Sequence, residues 1–478
     1  MLCLTDDMNA ALRCQDPGEY ENIIKAMVAL GPDQVALDAA SPDLTNYPTA
    51  IGTINPGLEN SACFARDPDP LTTLVPGLKR HGMRVLANVR MNDHHGREAQ
   101  WAAWERAHPE WSLGVDTGAR DWKSIGKLRC MDYAVEGVRS HRLAILREFM
   151  GRYDFDGIQL DFGRTPPFVS QPKTENGKWL TVYLREVRKL LDAQPGEGRK
   201  TLGAVVPIDP ELCGLEGLQL ETWIREGLID FICPAEKYYA DWNWDLRPWL
   251  ELTAGSGCAL VPTTPGNVSP FQDFEHGEIS LLGENAVLDL PKLRALAAQW
   301  RAQGTTHFGL YNFYVFEFGG IYPAVRAAID AELSRGQRKH FFYGRRNEYH
   351  YREYLSFDVG AAFRRHALMD PGESAVITFR FAPDPAIDEV TLRLAVKHLM
   401  PKDRLKLVLN EEPLDGLGRR FEVVQRFGRV HHAGFFEALL PASRLRAGLN
   451  RLRFVVETRA EFREPLEVGE LEIWSGAD

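Results

Sequence analysis

Tyr153-Asp-Phe-Asp-Gly-Ile-Gln-Leu-Asp-Phe-Gly-Arg164 is the stretch that decides the fold. Side chains alternate along a strand, so Ile158, Leu160 and Phe162 fall on one face and Gly157, Gln159 and Asp161 on the other. Just upstream, Val138, Ile145, Leu146 and Phe149 stand at helical spacing. A helix feeding a strand with two usable faces is the unit of a parallel barrel, in which one face meets the outer helices and the other points inward. Active sites of such barrels collect at the C-terminal strand ends, and Asp161 falls at that end. The plainer use of the same acid is a helix N-cap or an ion pair with Arg164.

Working outward from this stretch, strand-like and helix-like segments alternate through the first two thirds of the chain. Strands are predicted at Leu2 to Thr5, Gln34 to Asp38, Arg84 to Arg90, Gly157 to Phe162, Thr201 to Val206, Ile229 to Pro234, Ala259 to Thr263 and His307 to Asn312. A helical segment follows each, which predicts a closed (β/α)8 TIM barrel over residues 1–335. An open doubly wound sheet usually carries a Gly-rich phosphate loop after its first strand, and Leu4-Thr-Asp-Asp-Met-Asn9 is not one. Two connections, Ala39 to Asp69 and Met91 to Asp132, are long, as cleft-forming loops are. The basic run from Arg335 to Arg346 reads as a solvated connector. Beyond it, short alternating segments separated by turn residues predict an all-β sandwich, jelly-roll-like, over residues 340–478.

The 478 residues carry 66 acidic and 56 basic side chains, a formal charge of −10. That balance argues against nucleic acid, whose phosphates need clustered Lys and Arg. No apolar run is long enough to span a membrane. Cys3, Cys14, Cys63, Cys130, Cys213, Cys233 and Cys258 are scattered, with no CxxC pair, and Met-Leu-Cys-Leu is followed at once by Asp6 and Asp7. Reduced thiols and no visible signal peptide predict a cytoplasmic protein. Self-association into a homo-oligomer is left open.

In a barrel of this register, polar residues gather at one rim. Asp6 and Asp7 end the first strand and Asp38 the second, while Arg90, Asn92, Asp93, His94 and His95 follow the third. Asp161 and Arg164 end the fourth, Asp209 and Glu211 follow the fifth, and Glu236 and Tyr238 the sixth. Tyr311, Asn312 and Glu317 close the set. Sugar chemistry needs such a layout. Hydrolysis of a glycosidic bond uses two carboxyl groups flanking the anomeric carbon. Hydroxyls need amide, Arg, His and carboxylate partners, and sugar C–H faces need aromatic rings. Trp101, Trp104, Trp111, Trp122, Tyr238, Tyr239, Trp242 and Trp244 are the loop rings on offer, although packing explains any single one. Asp6, Asp7, His94 and His95 are an alternative, metal-dependent set. The first strand lacks a His-x-His, HExxH and CxxC are absent, and neither metal nor cofactor is expected. No G-x-S-x-G elbow supports a Ser nucleophile.

The run Asp154 to Arg164 resembles the fourth-strand signature of the glycosyl-hydrolase-like barrel families. Val89-Arg-Met-Asn-Asp-His-His-Gly96 and Trp223-Ile-Arg-Glu-Gly-Leu-Ile-Asp-Phe-Ile-Cys-Pro234 resemble their third- and sixth-strand regions. The fourth-strand Asp is similar to the nucleophile of the retaining α-galactosidase and α-glucosidase clans, whose acid ends the sixth strand. The resemblance thus implies a retaining glycoside hydrolase acting on a carbohydrate, with Asp161 as nucleophile and Glu236 as acid/base. The acid of those clans is usually Asp, a departure here. Asp6, Asp7, Asp38, Arg90, Asn92, Asp93, His94, His95, Arg164, Tyr238, Tyr311 and Asn312 are the expected substrate-binding residues. A carbohydrate-binding barrel without catalysis is the alternative. The C-terminal segment resembles glycosidase accessory jelly rolls through Leu405-Lys-Leu-Val-Leu-Asn-Glu-Glu-Pro-Leu414 and Leu445-Arg-Ala-Gly-Leu-Asn-Arg-Leu-Arg-Phe454.

Overall fold

The computed structural model describes residues 1–93, 102–114, 129–164, 166–196, 198–235, 240–268, 287–314, 318–343, 367–368, 370–426, 429–459 and 465–476. Eight parallel strands form a closed ring: β1 (Leu2–Asp6), β2 (Gln34–Ser41), β3 (Arg84–Arg90), β4 (Gly157–Asp161), β5 (Thr201–Pro207), β6 (Phe231–Ala235), β7 (Thr263–Pro265) and β8 (Phe308–Tyr311). Each pairs with the next in sequence, and β8 pairs with β1, so no open edge is left in the ring. Helices α1 (Glu19–Leu30), α2 (Leu71–Arg80), α3 (Glu136–Arg152), α4 (Lys178–Asp192), α5 (Leu220–Arg225), α6 (Arg247–Thr253), α7 (Leu290–Ala302) and α8 (Tyr322–Ile329) follow β1 to β8 in turn.

The two faces of β4 part as the alternation requires. Ile158, Leu160 and, just beyond, Phe162 are fully buried in the layer that also holds Leu146 and Phe149 of α3. Inside the ring, Cys3, Ala36, Leu86, Val205, Phe231 and Cys233 make a second apolar cluster. The Phe231 ring fills space that Gly203 leaves open, since a Cβ there would lie 2.0 Å from it. Nearer the C-terminal mouth the interior turns polar. Gln159 Nε2 donates to Thr5 Oγ1 and to Asn88 Oδ1, each at 2.9 Å, linking β4 to β1 and β3. Buried amides and hydroxyls satisfied in this way cost little, and they fix the side chains above them.

The seventh strand departs from the sequence reading. Ala259–Leu260 pairs with β6, the chain passes through Val261 and Pro262, and β7 begins at Thr263. Pro262 has no N–H to give to a ladder, which accounts for the interruption.

The C-terminal region is a sandwich of antiparallel sheets. One runs in the order β9 (Lys339–Tyr343), β16 (Leu466–Ser475), β11 (Glu389–Lys397), β14 (Arg429–Pro441), β13 (Gly418–Arg426). The other joins β10 (Ser374–Phe381), β15 (Gly448–Thr458) and β12 (Arg404–Leu409). Phe341 meets Phe381 at 4.8 Å and Tyr343 meets Phe379 at 5.3 Å between ring centroids, so the sheets pack face to face. The expected basic connector is corrected here: Lys339–Tyr343 is a strand buried along its whole length. Lys339 hides its charge against Asp384 at 2.5 Å, which is how a basic residue enters a core.

Barrel and sandwich meet at the segment after β6. Asn243 Nδ2 donates to Thr378 O at 2.8 Å and its Oδ1 accepts from Arg380 N–H at 3.0 Å. Arg380 also pairs with Asp245 at 2.6 Å, and Trp242 lies edge-on to Phe342. Among the described residues no helix is long and apolar enough to cross a membrane. All seven cysteines are free and buried.

Candidate active site at the barrel mouth

Asp161 is the last residue of β4 and is 1% exposed. Its Oδ1 accepts the Gly163 N–H at 2.8 Å, and its Oδ2 accepts the Tyr311 hydroxyl of β8 at 2.6 Å. Arg90, its register partner on β3, lies beside it. Burial pushes the Asp161 carboxyl above its usual range; the Arg90 charge, the Tyr311 bond, Arg164 and the Gly163 N–H all work against that rise.

Arg90 is the hub of the mouth. Its Nη1 donates to Asp93 Oδ2 at 2.9 Å, its Nη2 stands 3.5 Å from Asp7 Oδ2, and its Nε 3.8 Å from Asp38 Oδ2. Arg164 Nε reaches the same Asp93 oxygen at 3.3 Å. Each carboxylate is also held locally. Asp38 accepts from Asn88 at 3.0 Å and from Ser41 at 2.9 Å, while Asp7 Oδ2 accepts from Asn9 at 2.7 Å and from Tyr314 at 2.9 Å. Burial first, with like charges adding, pushes Asp6 up to about 7; burial pushes Asp38 to about 7 against the pull of Arg90. Burial also pushes the Tyr311 and Tyr314 phenols up, so both act as proton donors to carboxylates.

The fold therefore brings together Asp7, Asp38, Arg90, Asp93, Asp161, Arg164 and Tyr311 at the mouth. Asp6 stands apart. Alternation puts it on the side of Leu4, toward the outer layer, and its Oδ1 caps the Met8 N–H at 2.7 Å. Asn92 is a brace: its amide donates to Met131 O at 3.1 Å and Pro167 O at 2.7 Å, tying two loops together. Asn312 takes a left-handed φ of 50° and donates its N–H to Thr5 O, while its buried Oδ1 has no hydrogen-bond partner among the described residues. Asp209 is an exposed helix cap that accepts from Glu211 N–H at 2.8 Å. Glu236, Tyr238, His94, His95 and Glu317 lie outside the described residues, as do Trp101, Trp122 and Tyr239.

Trp242 and Trp244, expected to offer faces to sugar, are 1% and 5% exposed and pack where the sandwich and α7 close on the barrel. Trp104 lies flat on His141, 3.7 Å between ring centroids. Tyr314, Asn9 and Ser41 escaped the sequence reading. Asn9 and Ser41 lie two and three residues past Asp7 and Asp38 and bond to them, a local pairing that short polar side chains favour at strand ends, whereas Tyr314 reaches Asp7 from the loop after β8, 307 positions away, which no local pattern signals. Among the described residues no group of three or more His, Cys, Asp or Glu is placed to hold a metal ion. The cation among Asp7, Asp38 and Asp93 is the Arg90 guanidinium.

No family model matches the sequence. No curated protein matches it either. Solved structures to which the chain is similar include a glycoside hydrolase, 8% identical over 96% of this chain and 93% of that one, with a TM-score of 0.41. Another is a glycoside hydrolase family 5 protein from Bacteroides vulgatus, 9% identical over 97% and 92% of the two chains, with a TM-score of 0.39. Dihydrodipicolinate synthase from Agrobacterium tumefaciens is also similar, 9% identical over 70% and 78%, with a TM-score of 0.33. The chemistry of this mouth rests on its own side chains.

Proposed function

We propose that the chain is a glycoside hydrolase, cleaving an oligosaccharide or glycoside by a retaining two-carboxylate mechanism. Asp161 is the nucleophile and Glu236 the acid/base. The observation that carries this reading is Asp161 itself, a buried carboxylate at the mouth end of a barrel strand, with Tyr311, Gly163 and Arg90 arranged in favour of its negative charge. An oxocarbenium-like transition state needs such a charge beneath it, and a covalent glycosyl intermediate needs a carboxylate with a fixed orientation. In the sequence Glu236 comes directly after Ala235, the last residue of β6.

Arg90 and Arg164 are already engaged by Asp93, and Arg90 by Asp7 and Asp38. That engagement favours a neutral sugar over a carboxylated or sulfated one. Screening a panel of aryl glycosides and natural oligosaccharides tests the proposal. Turnover of at least one neutral glycoside is expected. Binding without turnover across the panel would instead identify a carbohydrate-binding barrel. With a substrate in hand, Glu236→Gln should spare aryl glycosides with good leaving groups far more than natural glycosides, because only the latter need protonation. Equal losses on both would contradict the acid role.

A further inference from the structure

We propose that Tyr311 is a positioning residue, fixing Asp161 in its ionised form and in one orientation through a hydrogen bond drawn across the barrel mouth. This rests on the reading of Asp161 as the working carboxylate and gives Tyr311 a different task from the substrate contact expected of it. In the ring, β4 and β8 lie on opposite sides, four strands apart either way round. The bond between Tyr311 and Asp161 thus spans the mouth and is not a contact between neighbouring strands. Its length, 2.6 Å, is that of a charge-assisted bond.

The need for such a donor follows from burial. Asp161 is 1% exposed and Tyr311 4%, so bulk water does not solvate the carboxylate. A carboxylate in that position takes up a proton unless donors and positive charge oppose it. Among the described residues, the groups that face it are Arg90 from β3, Arg164 from its own loop, Tyr311 from β8 and the Cys233 thiol from β6. Arg90 is shared with three other carboxylates and Arg164 with Asp93, so neither is devoted to Asp161. The Gly163 N–H holds one oxygen. Tyr311 holds the other, and the one proton of its hydroxyl is committed there.

The test uses the full chain labelled with carboxyl-13C aspartate, with the Asp161 signal identified by its loss in Asp161→Asn. The midpoint of the Asp161 titration is compared between wild type and Tyr311→Phe, alongside the acid limb of kcat/KM on any aryl glycoside that wild type cleaves. Both midpoints should rise by about one pH unit or more in Tyr311→Phe, since a bond to a charged group is lost. A tyrosine that merely packs would lower the melting temperature and leave both midpoints in place, and that result overturns the proposal. Replacing Tyr311 by difluorotyrosine, a more acidic donor of nearly the same shape, should move the midpoints down. It supplies the decisive comparison if the phenylalanine variant does not fold. A shifted NMR midpoint with no glycoside cleaved by wild type would sink the glycosidase reading and keep Tyr311 as the positioning residue. Cleavage with an unmoved midpoint would do the reverse.

Discussion

Asp38 is 3% exposed, and burial pushes its carboxyl up to about 7. In the unfolded chain it titrates near 4, so the folded protein binds the extra proton through the window from about 4 to about 7. The stability contributed by that proton is fully present below about pH 4 and is lost as pH rises through about 7. Over some three units this amounts to at most about 4 kcal/mol. Asparagine has no such titration. The melting temperature of wild type should therefore fall relative to Asp38→Asn between pH 4.5 and pH 8, when both are followed by circular dichroism. A gap between the two that stays constant with pH would contradict the buried, proton-binding Asp38. At this scale the sequence shows most of the rim, because a strand end and a period of two suffice to place Asp38, Arg90 and Asp161. It does not show that Arg90 serves its neighbours rather than an anionic ligand, since that depends on distances between β1, β2 and β3.

The two long loops after β2 and β3 are pinned to α3 by a buried charge cluster. Arg142 meets Asp43 at 2.8 Å and Glu105 at 2.6 Å, and His141 meets Asp43 at 2.7 Å beneath the stacked Trp104. Asp43, Glu105 and Arg142 are all at most 2% exposed. Arg142→Met would leave two buried carboxylates without their guanidinium and should cost about 3–5 kcal/mol in urea unfolding. A loss under about 1 kcal/mol would show that water reaches the cluster. Loop length singles these segments out in the sequence, but the cluster is invisible there, because Glu105 and Asp43 stand 37 and 99 positions from Arg142 and come close enough to pair only in the folded chain. Strand elements were legible where alternation is clean. Lys339–Tyr343 was not, because Arg335, Arg338, Lys339, Arg345 and Arg346 dominate its neighbourhood and conceal the buried Phe341 and Phe342.

Across the whole molecule, the sandwich supports the segment that leaves β6, the strand that leads to Glu236. Asn243 bonds to β10 in both directions, and Trp242 is 1% exposed against Phe342 of β9. Trp242→Ala should cost about 3–5 kcal/mol, the usual range for a buried Trp. Calorimetry should show a lower transition, and kcat/KM should fall with it as the β6 segment loses its support. An unchanged transition would mean that the sandwich does not bear on the barrel through this ring. The two-part architecture is legible in the sequence from the switch in period near residue 339. The docking is not, because a Trp in a polar loop reads equally as a sugar platform or as packing, and only tertiary contact decides.

Turnover by Asp161→Asn measures the central claim most directly. The amide keeps the shape of the side chain and an acceptor for Tyr311, but it cannot attack the anomeric carbon or balance its positive charge. On a glycoside cleaved by wild type, kcat/KM should fall by about a thousandfold or more, with the circular dichroism spectrum retained. Activity within about tenfold of wild type in a folded Asp161→Asn protein would contradict it.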